Sequence, residues 1–239
     1  MYVEKNYRGS VKEEDLVNFT VREKETDLLI SADKDLRRIA RQAILDGRKI
    51  LEDYIKYHPD FSITLAPYHP EPKAPALIQE MAEAAGLAGV GPMAAVAGLF
   101  AQKAGEALLP FSSQVLVENG GDVFITTKKK RRIGIYTENG NFGDKLALEV
   151  SPEDSPLGIC TSSGKLGHSL SFGKADAVVV LSHQASLADA AATAIGNRVK
   201  NIKDISLALA WGKTISGIMG ILIMIDKKIA VWGRMNLVV

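Results

Sequence analysis

The sequence contains only one cysteine, Cys160, among its 239 residues. A single cysteine excludes a disulfide within the chain and any metal site built from several cysteines. No apolar run approaches the roughly 20 residues that a membrane-spanning helix requires. The first ten residues, MYVEKNYRGS, have neither an apolar core nor a lipidation cysteine, so no export signal is expected. We therefore expect a cytoplasmic protein without a membrane partner.

The chain also lacks a clear excess of either charge. It has 29 Lys and Arg residues against 28 Asp and Glu residues, which gives a net charge of +1 at pH 7. No overall field attracts it to nucleic acid, which we do not expect as a partner. With 46% hydrophobic and 24% charged residues, its composition is typical of a soluble globular protein. Because no repeat or long linker divides the sequence, we expect residues 1–239 to form a single domain.

Hydrophobic periodicity and turn residues predict the order of the helices and strands. Five prolines between residues 58 and 75 forbid a continuous helix there and predict an extended connector. The predicted elements are a hairpin over 16–31, a helix over 33–57, a short strand at 61–65, two helices within 74–109, short strands over 115–118, 123–127, 133–136, 146–150 and 157–160, a buried strand over 177–181, a helix over 186–197, a short helix over 204–211 and a terminal hairpin over 218–232.

Two short segments have alternative interpretations. The turn AGLAGVGP between the helices of 74–109 ends in a proline at the first helical position, which predicts either a helix–helix turn or an anion site at the helix start. No Walker lysine follows the turn, so spacing alone favours the simple turn. The run KKKRR at residues 128–132 lies between two predicted strands, and we expect a solvated turn there rather than a patch that binds nucleic acid.

The segment NGGDV at residues 119–123 lies between two predicted strands. Its glycines, Gly120 and Gly121, permit positive φ angles and let a ligand approach the backbone closely. Asn119 and Asp122 add a polar edge beside them. Asn-Gly is also the strongest short signal for a hairpin turn, so turn chemistry alone explains the segment as well.

A second polar turn, TSSGKLGHS, precedes the buried strand over 177–181. Its hydroxyl groups and a flexible glycine are suited to holding a phosphate or a ring edge, and a histidine adds a donor. The Ser and His residues also raise the question of nucleophilic hydrolysis, but the turn has no G-x-S-x-G elbow. A polar loop without a ligand remains the alternative. The candidate residues are Thr161, Ser162, Ser163, Gly164 and His168.

The predicted helix SLADAAATAIGN consists almost wholly of small residues. Asp189 and Thr193 are four residues apart, which places both side chains on one helix face. A carboxylate and a hydroxyl near loop carbonyls form an oxygen set suited to Mg²⁺. The alternative is a capping box, in which Ser186 and Asp189 satisfy the start of their own helix. The alanines leave room for a bulky ligand, and they equally permit close helix packing.

These motifs together resemble a known family, the ApbE-type flavin transferases. ADAAATA, with Asp189 and Thr193, is similar to that family's A-D-x-x-x-T-A motif. NGGDV is similar to its N-x-G-G-D-[IV] turn, and TSSG to its [AT]-T-S-G turn. The order and approximate spacing of the three motifs agree, and they cover residues 119–196. The whole chain most resembles the short ApbE-like proteins of bacteria and archaea, which also carry VGPMAAVAG (residues 90–98).

The resemblance implies an α+β fold in which mixed or antiparallel sheets pack with helices. It also implies FAD and Mg²⁺ as cofactors, with Asp189 and Thr193 as metal ligands and the two polar turns as flavin contacts. ApbE-type enzymes transfer FMN from FAD to a threonine of an acceptor protein through a phosphoester bond.

The chain departs from the family's pattern in one segment. After its T-S-G turn the family has H-x-x-D-P-x-T-G, whereas this chain has HSLSFGKAD at residues 168–176. Two hypotheses therefore remain. One is a flavin- or nucleotide-binding protein, with or without Mg²⁺-dependent FMN transfer. The other is a non-catalytic relative that binds a protein partner or another small molecule.

Overall fold

A large antiparallel sheet forms the centre of the fold. The structure, a computed structural model, describes residues 15–136, 146–164 and 173–238. The strands of this sheet are β1 Val17–Glu23, β2 Thr26–Ala32, β3 Val115–Asn119, β4 Asp122–Thr126, β7 Leu157–Ser162, β8 Ala177–Ser182, β9 Ile218–Ile225 and β10 Lys228–Gly233. Their order is β1-β2-β3-β4-β7-β8-β9-β10, and every neighbouring pair is antiparallel.

A smaller sheet and a layer of helices cover the two faces of the large sheet. The smaller sheet has the order β11-β6-β5, with β5 Arg131–Gly134, β6 Ala147–Val150 and β11 Leu237–Val238. The helices are α1 Arg37–Tyr57, α2 Asp60–Ile63, α3 Ala76–Ala88, α4 Val96–Leu108, α5 Ala185–Arg198 and α6 Ile205–Gly212. The fold is α+β, as predicted.

Strand β8 shows why the central strands are apolar throughout. Successive side chains of a strand point to opposite faces of its sheet. Ala177, Val179 and Leu181 pack between the two sheets, while Val178 and Val180 pack under the helices. Both faces are buried, so the strand is a continuous apolar run instead of an alternating one. The predicted buried strand over 177–181 is confirmed.

Helix α5 packs closely against β7 and β8, as its alanine content predicts. A Cβ atom at Gly158 of β7 would lie 2.4 Å from the Cα atom of Ala185 at the start of the helix. Only glycine fits at that distance, so small residues on both elements set the spacing between helix and sheet. Ala188, Ala190 and Ala191 of this helix are fully buried.

Most of the other predicted elements are confirmed, but the strand predicted at 61–65 is wrong. Residues 60–63 form the short helix α2, which follows Pro59 in a helical conformation. Phe61 is fully buried and makes edge-to-face contacts with Tyr54 and Tyr68. These aromatic contacts hold the segment in a helical turn, and a local propensity argument does not include them.

The KKKRR run is a solvated turn only in its first part. Lys128, Lys129 and Lys130 are exposed, but Arg131 is only 5% exposed and begins β5. The guanidinium of Arg131 donates to the carboxylate of Asp15 at 3.0 Å. A solvated turn was therefore the wrong prediction for Arg131, because its partner is 116 residues away in the sequence.

In the part of the chain that the structure describes, no single helix is both long and apolar enough to cross a membrane. The segments Ala76–Ala88 and Pro92–Leu108 meet the length and composition criteria only as a pair, and they are bent by 100° relative to each other.

Candidate functional site

The NGGDV segment is the hairpin turn between β3 and β4. Asn119 and Asp122 are paired across it, and Gly120 and Gly121 have φ angles of +67° and +106°. Positive φ at both central positions is what a type I′ hairpin turn requires, and glycine adopts it without strain. Asn119 is buried, and its Nδ2 donates to the carbonyl oxygen of Ala97 at 3.0 Å. The turn is therefore attached to the first turn of α4.

Asp122 joins this hairpin to the second polar turn. Its side chain is only 6% exposed, and its Oδ1 accepts a hydrogen bond from the backbone N–H of Thr161 at 3.2 Å. Thr161 and Ser162 lie at the end of β7, and a Cβ atom at Gly196 of α5 would lie 3.4 Å from Ser162 Oγ. Two of the three sequence motifs thus meet at a direct hydrogen bond.

Asp189 caps a helix other than its own. Its Oδ2 accepts a hydrogen bond from the backbone N–H of Gly98, in the first turn of α4, at 2.9 Å. A Cβ atom at Gly98 would lie 2.2 Å from the carbonyl oxygen of Ala185 and 2.8 Å from Asp189 Cβ. The glycine is therefore needed where α4 and α5 cross. Because this N–H group already has a carboxylate partner, the anion site considered at the start of the second helix is partly occupied by the chain itself.

The capping-box interpretation of Ser186 and Asp189 is wrong. Helix α5 begins at Ala185, with Gln184 at its N-cap, so Ser186 lies inside the helix and is fully buried. The backbone N–H of Ala185 donates instead to Oε1 of Gln102, on α4, at 2.8 Å. A backbone N–H group at the start of each helix therefore donates a hydrogen bond to a side chain of the other helix.

Asp122 is buried and Asp189 is partly buried, so contact with water is restricted at both carboxylates. Burial, together with the nearby charge of Glu118, raises the pKa of Asp122 to about 7. Burial, followed by repulsion from Asp122, raises the pKa of Asp189 well above its usual range, and the N–H groups of Gly98 and Ala97 offset part of this. Burial likewise raises the pKa of Cys160, whose thiol donates to the carbonyl oxygen of Ala185.

Neither carboxylate has a cationic partner among the described residues. Buried carboxylates are ordinarily paired with a cation or bound to a metal. Within the same described ranges, no group of three His, Cys, Asp or Glu side chains is placed to hold a metal ion. A cation at this place would therefore need hydroxyl, carbonyl, water or phosphate oxygens in addition to Asp122 and Asp189.

The remaining predicted residues lie on α5, directly after β7, or outside the described residues. Thr193 is partly buried, one helical turn beyond Asp189 on α5. Gly164, which lies shortly after β7, donates its N–H to the carbonyl oxygen of Ala175, shortly before β8, at 3.0 Å. His168 lies outside the described residues.

The structure also has a cleft of about 420 Å³ on the face of the smaller sheet, lined among others by Leu148, Met219 and Arg234. None of the predicted site residues that the structure describes lines this cleft.

Reasoning from the sequence missed three contributors to the site. Glu118 is 1% exposed, and its Oε1 accepts the N–H of Gly121 at 2.9 Å, which fixes the hairpin turn. Cys160 and Gln102 contact the start of α5 from two sides. The sequence did contain a signal for the close helix contact at Gly98, namely the small residues of VGPMAAVAG. Helices that cross at a short distance require small residues at the contact.

Comparisons with known proteins agree with this fold. Residues 8–221 match a family model described as "AbpE bacteria". A UPF0280 protein of Methanocella arvoryzae is 39% identical over 217 residues, which cover 90% of this chain and 88% of the relative. A UPF0280 protein of Archaeoglobus fulgidus is 40% identical over 212 residues and 87% of each chain.

Solved structures of low sequence identity share the fold. The flavinyl transferase ApbE of Pseudomonas stutzeri matches with a TM-score of 0.56 and 13% identity, over 91% of this chain and 94% of that chain. The ApbE protein of Thermotoga maritima matches with a TM-score of 0.53 and 15% identity, over 91% and 96% of the two chains. At these identities the likeness concerns the fold alone.

Proposed function

The chain belongs to the ApbE-like family whose model it matches over residues 8–221, and we propose that it binds a flavin or a related nucleotide together with Mg²⁺. The observation that carries the proposal is the pair of acidic side chains, Asp122 and Asp189, at the first turn of α4 without a cationic partner in the described residues. A protein that used these residues only for stability would gain by replacing one carboxylate with an uncharged group. The presence of both carboxylates in this chain supports a role in binding a cation.

The side-chain oxygens of the proposed site are of the kind that Mg²⁺ binds. Asp189 uses part of its hydrogen-bonding capacity on the N–H of Gly98, and a carboxylate has about four acceptor positions. We propose Asp189 and Thr193 as metal ligands, because they share one face of α5 and are both partly buried. Mg²⁺ is commonly held by one or two carboxylates together with waters and substrate phosphates. When bound, the ion would neutralise phosphate charge.

The two polar turns are the proposed flavin contacts. Gly120 and Gly121 have no side chain to block a ligand, and among the described residues nothing beyond each glycine and its chain neighbours lies within 4 Å of a Cβ atom built at either position. Asn119 and Asp122 are held by hydrogen bonds to Ala97 and Thr161, so the edge of the turn is fixed in advance. The hydroxyl groups of Thr161, Ser162 and Ser163, with Gly164 and His168, are proposed to complete the site.

The finer proposal is FMN transfer from FAD to an acceptor protein. In that reaction the pyrophosphate bond of FAD breaks, AMP leaves, and the FMN phosphorus forms an ester with a threonine oxygen of the acceptor. The threonine gives up its proton in the same conversion. Because residues 168–176 replace the D-P-x-T-G segment, the alternative is a relative that retains the binding site without the transfer. Release of AMP from FAD, followed by chromatography, separates these two cases.

The experiment for binding is calorimetric titration of FAD with and without Mg²⁺. We expect wild type to bind FAD more tightly with Mg²⁺, and we expect Asp189→Asn and Thr193→Val to lose that enhancement. Thr20→Val, on the exposed edge strand β1, is the matched control for loss of a hydroxyl. If both site variants bind FAD and Mg²⁺ as wild type does, the metal assignment is wrong. If wild type binds no flavin, the chain is instead a relative with another ligand.

A further inference from the structure

Strand β10 forms an open edge of the large sheet. In the described part of the chain, no strand follows β10 in the sheet order. Lys228 pairs with Ile225 across a two-residue turn, and Ala230 and Trp232 pair with Ile223 and Ile221. In an antiparallel hairpin the hydrogen-bonded pairs alternate from the turn onward. The N–H and C=O groups of the intervening residues, Ile229 and Val231, therefore face away from β9.

The same two residues carry apolar side chains that the second layer does not cover. Ile229 is 40% exposed and Val231 is 42% exposed. They pair with Met224 and Leu222, which are fully buried between the two sheets. Ile229 and Val231 thus lie on the face that the smaller sheet covers elsewhere, at the position where this cover ends. The opposite face of β10 is occupied, since Ala230 and Trp232 pack on the helix side.

Cations flank this edge at both ends. Lys227 and Lys228 lie at the turn, and Arg234 directly follows the strand; all three are exposed. None of the three forms an ion pair with another residue that the structure describes. The one carboxylate adjacent to them in the sequence is Asp226, in the turn itself. The edge therefore combines free backbone groups, two apolar side chains and an excess of positive charge.

From these features we propose that β10 binds an extended acidic segment of a partner protein by strand addition. The partner segment has alternating apolar side chains, which cover Ile229 and Val231, and Asp or Glu residues on both sides, which meet Lys227, Lys228 and Arg234. Strand addition draws its affinity from backbone hydrogen bonds and its specificity from alternate side chains. β10 lies beyond residues 8–221, the part of the chain that the family model matches.

A second copy of this chain is a poor occupant of the same edge. Antiparallel pairing of two β10 strands centred on Val231 brings Lys228 of each copy opposite Arg234 of the other. Pairing centred nearer the turn brings Lys227 and Lys228 of one copy close to the same two residues of the other copy. Like charges directly opposite each other destabilise a strand pair. Lysines at a sheet edge oppose self-association for this reason, and the same charges favour an acidic partner.

The test uses a fluorescein-labelled synthetic peptide, Glu-Glu-Val-Thr-Val-Thr-Val-Glu-Glu, and the full chain. Fluorescence anisotropy measures its affinity beside that of a peptide with lysine in place of every glutamate. We expect the acidic peptide to bind at least about tenfold more tightly, and its affinity to fall as salt screens the charges. Equal affinity for the two peptides, or no binding of the acidic one, overturns the proposal.

Two variants locate the binding on β10. Val231→Pro removes an N–H group that faces away from β9, so the sheet retains its own hydrogen bonds, and we expect about tenfold weaker binding of the acidic peptide. Thr20→Pro, at an outward position of the opposite edge strand β1, is the matched control and should leave the affinity unchanged. Lys228→Glu keeps the backbone and should shift preference towards the lysine peptide. Sedimentation showing a dimer that Val231→Pro dissociates would identify a second copy as the occupant and overturn the proposal.

Discussion

Two buried polar clusters of this molecule differ in how their charges are balanced. At the corner between β4 and β5, the guanidinium of Arg131 donates to Asp15, Gln114 and Thr127. Arg131, followed by Lys129, holds the pKa of Asp15 well below its usual range. At the first turn of α4, Asp122 and Asp189 instead have raised pKa values.

The difference favours a structural role for the Arg131 cluster and supports the proposed binding role of the acidic cluster. Hydrogen bonds and opposite charge satisfy the groups around Arg131, so that cluster is complete within the chain. The acidic cluster has its N–H donors but lacks a cation in the described residues. Carboxylates with strongly raised pKa values cluster at functional sites, and this supports the proposed binding role. Removing the charge of Arg131 should therefore destabilise the fold, whereas removing the charge of Asp122 or Asp189 should change its stability little or increase it near pH 8.

The largest loss of stability is expected for Arg131→Ala. The change leaves the buried side chain of Gln114 and the Thr127 hydroxyl without their guanidinium partner. Both side chains keep other hydrogen bonds, but a hydrogen bond to a charged group contributes about 1.5–3 kcal/mol, and we expect a total loss of roughly 2–3 kcal/mol in the free energy of unfolding. Urea denaturation measures it, with Arg132→Ala, an exposed neighbour, as the control. Equal stability of the two variants would contradict the structural role of Arg131.

A smaller loss is expected for Gly98→Ala, which acts on the acidic cluster through packing. The added Cβ atom would lie 2.2 Å from the carbonyl oxygen of Ala185, so α4 and α5 must move apart. We expect a destabilisation of about 2 kcal/mol, in the range of overpacked cores. Gly86→Ala on α3 is the matched control, because among the described residues nothing beyond its own stretch of helix lies within 4 Å of a Cβ atom built there. That control should stabilise the protein by about 0.5–1 kcal/mol; a tolerated Gly98→Ala would show that the helix crossing is not tight.

The pH dependence of stability distinguishes the clusters further. The pKa of Asp122 is about 7 in the folded protein, against 3.8 ordinarily, so the folded state binds more protons between those values. Its contribution to stability is therefore largest near pH 4 and falls as the pH rises to 7. The Asp122→Asn variant does not lose stability in this way, and its side-chain amide oxygen still accepts a hydrogen bond from the Thr161 N–H. We expect it to match wild type near pH 4.5 and to exceed it by about 1 kcal/mol or more at pH 8. Urea denaturation across this range checks it, and a constant difference would show that Asp122 titrates normally.

Local sequence patterns were sufficient for most of the scaffold. Apolar spacing predicted α1, and β-prone runs between turn residues predicted β3, β4 and β7, because these signals depend on neighbouring residues. The NGGDV turn was predicted for the same reason. Arg131 was misassigned because its partner Asp15 is remote in sequence, and the segment at 61–65 because aromatic contacts of Phe61 outweigh its strand propensity.

The candidate site depends on contacts that a local pattern does not contain. Asp189 and Gly98 are 91 residues apart, and Asp122 and Thr161 are 39 residues apart. The helix-start role of Asp189 was anticipated, but the helix was the wrong one. The resemblance to a family supplied the order of the motifs, whereas the hydrogen bonds that join them required the folded chain.

The smallest change in stability is expected for Asp189→Asn. The amide oxygen of asparagine still accepts the Gly98 N–H, and the substitution removes repulsion with Asp122, so the loss and the gain oppose each other. We expect a free energy of unfolding within about 0.5 kcal/mol of wild type at pH 8, whereas Asp189→Ala, which loses the cap, should cost about 1 kcal/mol. Asp46→Asn, on the exposed face of α1, controls for loss of a carboxylate.

Thermal and urea denaturation of the three variants, beside FAD titration with Mg²⁺, separates the two roles of Asp189. An Asp189→Asn protein that is stable but has lost the Mg²⁺ effect supports a cation ligand, and one that is as unstable as Asp189→Ala indicates that the charge itself holds α4 in place.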